Sequence, residues 1–358
     1  MKILPMQKPW LNSMPQHANL FAVLQNNIDM TREWALENHI ILNGRYDLSD
    51  KKSPFMIDIG CHDMRYWGRA WEMCPFIRAK VHDINMINKK WDSFTSFTKD
   101  AIDEKLYVYV FVYTKSISLY QLNDDTHSLF ISGYDDTRQV FLGSDYFGDV
   151  PKYDTCWIPY KEIEDSYQKK MSLDDATIHP RGFGGVCLWQ YNPYGNAYTE
   201  GLTYDRWSIP RVIWRLKQLV GDIWSPEYMG IHPNMLSGLN VYDMVSRIIL
   251  ENTNDTHILY LVAIRIAVLI DHVKILEEIG LYMYNSFDVE LGVHRLEIES
   301  VTRLLYKSRQ LLLKTIMQNK EMKTRINRVS KIFFEIKEIL STYVDFLICE
   351  LQLIDTNE

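Results

Sequence analysis

From Ile326 onward the apolar positions alternate by three and four: Ile326, Val329, Phe333, Ile336, Leu340, Tyr343 and Leu347. That spacing places them on one seam of a helix. Ile332, Ile339 and Phe346 widen the seam into a face. Ile298, Val301, Leu305 and Leu312 begin a similar face one helix earlier, and a turn is expected around Asn319. The two helices are predicted to pair antiparallel in a small bundle. No proline follows Pro233, and the pattern from there on is helical. Ile258 to Ile270 is the most apolar stretch, but it is short and interrupted by Arg265, so it reads as a buried helix rather than a membrane span.

Upstream of about residue 205 the texture changes to turns, glycine, proline and β-branched or aromatic runs. HANLFAVLQNN predicts a helix starting near Pro15 or Gln16, because proline suits a first helical turn. LYVYVFVY, residues 106–113, is a continuous apolar run of the kind a strand covered on both faces carries. SLFIS and QVFLG flank GYDDTR as two further strands. Helices followed by antiparallel strands predict an α+β domain over residues 1–205. A helical bundle domain is predicted over residues 206–358.

The hairpin carries candidate chemistry. A turn centred near Asp136 sets His127 directly opposite Asp145 on one sheet face. Cross-strand partners have Cβ atoms about 4.5–5.5 Å apart, close enough for a carboxylate to accept an imidazole N–H. Such a bond fixes the tautomer and leaves the second ring nitrogen to act as a base. The expectation depends on register, since a slip of one residue turns one side chain away.

Composition narrows the setting. The chain of 358 residues is 47% hydrophobic and 24% charged, which allows two domains with cores of their own and argues against disorder. A net charge of −7 repels phosphate backbones and argues against general nucleic-acid binding. The five cysteines, Cys61, Cys74, Cys156, Cys187 and Cys349, are scattered and lack a CxxC pair. They fit reduced thiols in a cytoplasm better than a disulfide framework or a zinc site. MKILPMQKPWLNSMPQ holds no apolar run long enough for a signal peptide. There is no P-loop and no HExxH, and RGFGGV lacks the spacing of a dinucleotide site, so neither cofactor nor metal is expected. Asp271 and His272 read as a polar contact between domains.

Tyr120, DDTHSLFISGYDD and LGSDYFGDVPKYDTCWIPYKEIEDSY together resemble the papain-like domain of butirosin biosynthesis protein H and its relatives. The likeness is strongest from about residue 74 to residue 170. LNVYDMVSRIILE and IRIAVLIDHVKILEEIGLY resemble the helical extension of many such proteins in bacterial natural-product gene clusters. The resemblance implies a papain-like fold and acyl transfer from a carrier-protein thioester, or cleavage of an amide. Its site would be a cysteine at the start of the first long helix, with His127 as base and Asp145 as its orienter. A helix N-terminus and a neighbouring imidazole both favour the thiolate.

The chain departs from that pattern where the thiol belongs. NSMPQHANLFAVLQNN contains no cysteine, and Gln16 or His17 falls at its place. A carboxamide is not a nucleophile, and covalent catalysis by His17 needs a different geometry. Ser13 precedes Pro15, outside the expected helix start. Cys61, beside His62 and ahead of a possible helix from Met64 to Trp71, is the best substitute thiol. Cys156 and Cys187 sit in strand-like segments and read as packing. Gln7 lies upstream, where papain-like sites keep a glutamine for the oxyanion. Two functions follow from the missing thiol: a transferase in which His127 assists direct attack of an amine on a thioester, or a non-catalytic partner of a carrier protein, peptide or enzyme. From Arg303 to Lys331 nine basic residues face Glu321 alone. Lys320, Lys323, Arg325 and Arg328 make that segment a candidate docking face for an acidic carrier protein.

Overall fold

The computed structural model describes residues 1–24, 28–47, 49, 54–60, 70–121, 126–148, 152–171, 185–195, 204, 207–221, 235–318 and 322–357. In chain order the elements are β1 (Lys2–Ile3), α1 (Pro15–Leu24), α2 (Ile28–Asn38), β2 (Leu42–Tyr46), β3 (Phe55–Ile59), β4 (Ile77–Asp83), α3 (Ile84–Lys90), α4 (Phe94–Asp103), β5 (Tyr107–Tyr113), β6 (Thr126–Asp135), β7 (Val140–Phe147), β8 (Lys152–Pro159), α5 (Tyr160–Met171) and β9 (Gly185–Tyr191). Then come α6 (Ile209–Val220), β10 (Met235–Ser237), α7 (Asn240–Glu251), α8 (Thr256–Phe287), α9 (Gly292–Gln318) and α10 (Met322–Asn357). The chain is therefore α+β. It divides into two compact units, one of Met1–Thr31 with Tyr66–Asp205, the other of Arg32–Arg65 with Arg206–Glu358.

The first unit is built on an antiparallel sheet in the order β4-β9-β5-β6-β7-β8. β1 pairs with β6 at Gly133 and Tyr134, in line with β5, which pairs with residues Thr126 to Ile131 of the same strand. Gly133 is required there: a Cβ on it would lie 2.7 Å from the Lys2 carbonyl oxygen. The apolar run expected to be covered on both faces is β5, whose Val108, Val110 and Tyr109 are all buried. Trp189 of β9 packs its indole within 5.0 Å of Phe130 and 5.4 Å of Tyr109 by ring centroids, and burial of such aromatics dominates a core of this kind. Helices α4 and α5 pack on β5. They are also joined at α4's N-terminus, where Glu164 of α5 accepts from the amides of Phe94 (3.3 Å) and Thr95 (2.9 Å). Ser93 caps the same end through the Ser96 amide at 3.0 Å.

The second unit combines the expected helices with a small sheet that periodicity did not predict. Its strand order is β10-β2-β3, all antiparallel. Residues 32–65, which the linear reading groups with the first half, belong here because β3 packs on α8 and β2 pairs with β10. All seven seam positions of α10, Ile326 through Leu347, are fully buried, as are Val301, Leu305 and Leu312 of α9, and the two helices pack together. Two carboxylates of α2 cover the N-terminus of α6: Glu37 accepts from the Ser208 amide at 3.2 Å and Glu33 from Trp207 at 3.1 Å. Negative charge is favoured at that end of a helix. Asp271 pairs with Lys274 at 2.8 Å, and His272 meets the Ile40 carbonyl at 2.9 Å. That contact joins distant segments of sequence inside one compact unit. Among the described residues no helix is long and apolar enough to cross a membrane.

Candidate active site

The site is made where β6 and β7 diverge from their hairpin. Four turn residues, 136–139, connect the strands. Asp135 shapes the turn by accepting from the amides of Thr137 (3.0 Å) and Arg138 (3.3 Å), and Gln139 takes the left-handed conformation at φ 55°. Pairing starts at Asp135–Val140 and runs through Gly133–Leu142. A bulge at Ser132 then shifts it to Ile131–Gly143 and Phe130–Ser144.

Continued one step, that register sets Asp145 opposite Leu129, so His127 lies two positions diagonally from Asp145 instead of directly across. The expected facing pair is corrected in this respect: the turn is centred between Thr137 and Arg138 instead of at Asp136, which moves the partner by three positions, and the bulge at Ser132 takes one back. An offset of two preserves side-chain parity, and diagonal partners remain within reach of long side chains.

The pair meets. His127 Nδ1 is 2.6 Å from Asp145 Oδ2 and 3.3 Å from the Ser128 carbonyl oxygen. Both neighbours are acceptors, so Nδ1 carries the proton and donates it, which makes Nε2 the basic nitrogen of the neutral ring. Asp145 is fully buried, whereas the His127 side chain keeps 24% of its exposure. A third residue, which sequence spacing gave no reason to place here, completes the group: the Tyr120 hydroxyl donates to the same Asp145 Oδ2. Tyr120 is held by a parallel bridge to Gly148 and by Phe147, whose ring centroid lies 5.1 Å away. Burial, and then the charge of Asp145, push the Tyr120 phenol well above its ordinary range, so it stays protonated. Tyr109 and Tyr153 also feel Asp145, although burial is the larger cause of their upward shifts. The only prior signal for Tyr120 was its place ahead of the THSLF strand, within the family-like segment.

Helix α1 packs against β7. It begins at Pro15 as expected, and two phenols tether it beside Asp145: Tyr146 donates to the Asn12 carbonyl, and Tyr153 to Asn19 Oδ1 at 2.7 Å. These tethers bracket the first turn, where Gln16 and His17 are both buried. Gln7 is exposed, and its amide bonds the Ala22 carbonyl at 3.0 Å. At about 1.5 Å of rise per residue that is roughly 9 Å along α1 from Gln16, so the backbone places Gln7 toward the opposite end of the helix.

Cysteines of the sheet stand apart from the imidazole. Cys156 pairs with Gly143, which pairs with Ile131, so it is two strands and four positions from His127. With about 4.8 Å between strands and 3.3 Å per residue this is roughly 16 Å. Cys187 pairs with Tyr109, which pairs with Phe130, giving roughly 14 Å by the same spacings. Burial pushes the Cys187 thiol up to about 12, and Cys74 is likewise buried with its thiol pushed up. Cys349 is exposed on α10, in the other unit. Cys61 and Lys320 lie outside the described residues. Lys323 and Arg328 are exposed on the first turns of α10, and half-buried Arg325 donates to Gln318 at 3.0 Å. Among the described residues no group of three His, Cys, Asp or Glu side chains has a metal-binding arrangement. No protein-family model and no curated protein matches the chain.

Proposed function

We propose that this is an acyl- or aminoacyl-transferase-like protein of bacterial secondary-metabolite assembly, with a papain-like first unit resembling butirosin biosynthesis protein H. It forms or cleaves an amide at a carrier-protein thioester, without a covalent intermediate on a cysteine of its own. The observation that carries this reading is the oriented imidazole: Nδ1 donates to a buried carboxylate, Nε2 is the base, and neither sheet cysteine, Cys156 or Cys187, lies within reach of the ring. A thioester is activated already, so positioning and proton removal supply what direct aminolysis needs. The amine nitrogen attacks the carbonyl carbon and its proton passes to Nε2. The C–N bond forms, the C–S bond breaks, and the departing thiolate takes the proton from the imidazolium. His127→Ala is expected to lower amide formation from a loaded carrier by about 10²-fold or more. Unchanged product yield would remove the reading, and loss of activity in Cys61→Ser would return catalysis to a covalent route.

A second reading, a non-catalytic partner of a carrier protein or pathway enzyme, is favoured by one surface. Arg303, Lys307 and Lys314 on α9 and Lys323, Arg328 and Lys331 on α10 are all exposed. Tyr306, Met317 and Phe334 stand exposed among them. Cations around exposed apolar side chains suit an acidic protein partner. The double change Lys323→Glu, Arg328→Glu is expected to weaken carrier association about tenfold or more at low salt; unchanged affinity and salt dependence would dismiss the surface.

A further inference from the structure

We propose that Tyr120 is a positioning residue for His127: its hydroxyl shares the Asp145 oxygen that takes the imidazole N–H, fixing that carboxylate and holding down the basicity of the ring. The inference rests on the proposed role of His127 only for its catalytic meaning, because the contacts themselves involve no substrate. A carboxylate can accept hydrogen bonds at both oxygens. Asp145 uses one. Its Oδ1 is buried and accepts none among the described residues, while Oδ2 receives both the imidazole N–H and the phenol.

Two donors on a single oxygen draw on the same charge. The phenol is the neutral member of the pair, kept protonated by burial and by Asp145 itself. Each increment of charge drawn toward it is withdrawn from the imidazolium, whose pKa a neighbouring carboxylate otherwise raises. The arrangement also limits rotation of the carboxylate. Tyr120 is 8% exposed and its ring centroid is 6.1 Å from that of His127, so the phenol is packed beside the imidazole it serves. Among the described residues the other titratable groups around the pair include Tyr109 on β5 and, on β8, Tyr153 and Asp154, the register partner of Asp145. On α1, the helix packed against β7, His17 is the one titratable side chain.

The test is an NMR titration of the full chain carrying isotopically labelled histidine, with no substrate present. In Tyr120→Phe the His127 pKa is expected to rise by about half a unit or more, since Oδ2 is then left to the imidazole alone. Replacing Tyr120 by 3,5-difluorotyrosine strengthens the donor while keeping the ring, and is expected to move the His127 pKa downward. The histidines of the other unit serve as internal controls in both. Opposite shifts at His127 establish the role, which mere loss of packing would not produce. An unchanged His127 pKa, or shifts of the same sign, would overturn it. Should the phenylalanine variant fail to fold by circular dichroism, the fluorinated protein decides alone: a fall supports the assignment, and no change or a rise sinks it. These outcomes are independent of whether His127→Ala abolishes product, so failure of the transferase reading and failure of this one are told apart.

Discussion

Two histidines illustrate how surroundings set the behaviour of an imidazole. His127 has a buried carboxylate at Nδ1 and a partly exposed ring. His272 is fully buried, donates through Nε2 to the Ile40 carbonyl, and has a buried Nδ1 with no hydrogen-bond partner among the described residues. Burial pulls its pKa from 6.5 down to about 4. Above pH 6.5 the ring is neutral whether the chain is folded or not, and stability does not depend on it. Between 6.5 and about 4 the unfolded chain takes up a proton that the folded chain refuses, so stability is lost as pH falls. Below that window both states are protonated and the loss levels off. At about 1.4 kcal/mol per pH unit, the effect by pH 4.5 is on the order of 2–3 kcal/mol. His272→Gln keeps a donor for Ile40 but does not titrate. Urea unfolding at pH 7.5 and 4.5 is expected to show a smaller acid loss in the variant by that amount, and equal losses would refute the assignment.

At the scale of elements, what could be read in advance was what repeats locally. The three–four alternation of α10 placed seven side chains in the core before any coordinates, because a helix seam needs no knowledge of its partner. Leu340→Ala, at a fully buried seam position, is expected to cost about 2–5 kcal/mol. Phe334→Ala, half-exposed on the same helix, is expected to stay within about 0.5 kcal/mol. Comparable losses in urea melts of the two would contradict the seam. The strands β5 to β8 were equally legible from β-rich runs and turn residues. Pairings between distant segments were not. Nothing local to Leu42–Tyr46 announces that its second neighbour is Met235–Ser237, nor that residues 32–65 join the helices. The hairpin falls between these cases. His127 and Asp145 could be named from sequence, while the four-residue turn and the bulge at Ser132 set a register that spacing misjudged by two. Tyr120 was noted only as part of the family-like segment; its bond to Asp145 was not foreseen, since it accompanies a bridge to Gly148, a contact that no periodicity encodes.

Across the whole molecule, charge is distributed unevenly. A chain of net charge −7 gathers its longest run of cations on the facing ends of α9 and α10, and most of these side chains are exposed. Dissolved ions gather around such surface groups and weaken their attractions over roughly 8–10 Å at physiological salt. Asp145 is among the charges that are buried instead, its side chain fully covered and bonded to His127 and Tyr120. The bond between carboxylate and imidazole is therefore screened less than the molecule's exposed pairs, and it is expected to hold at salt concentrations that loosen them.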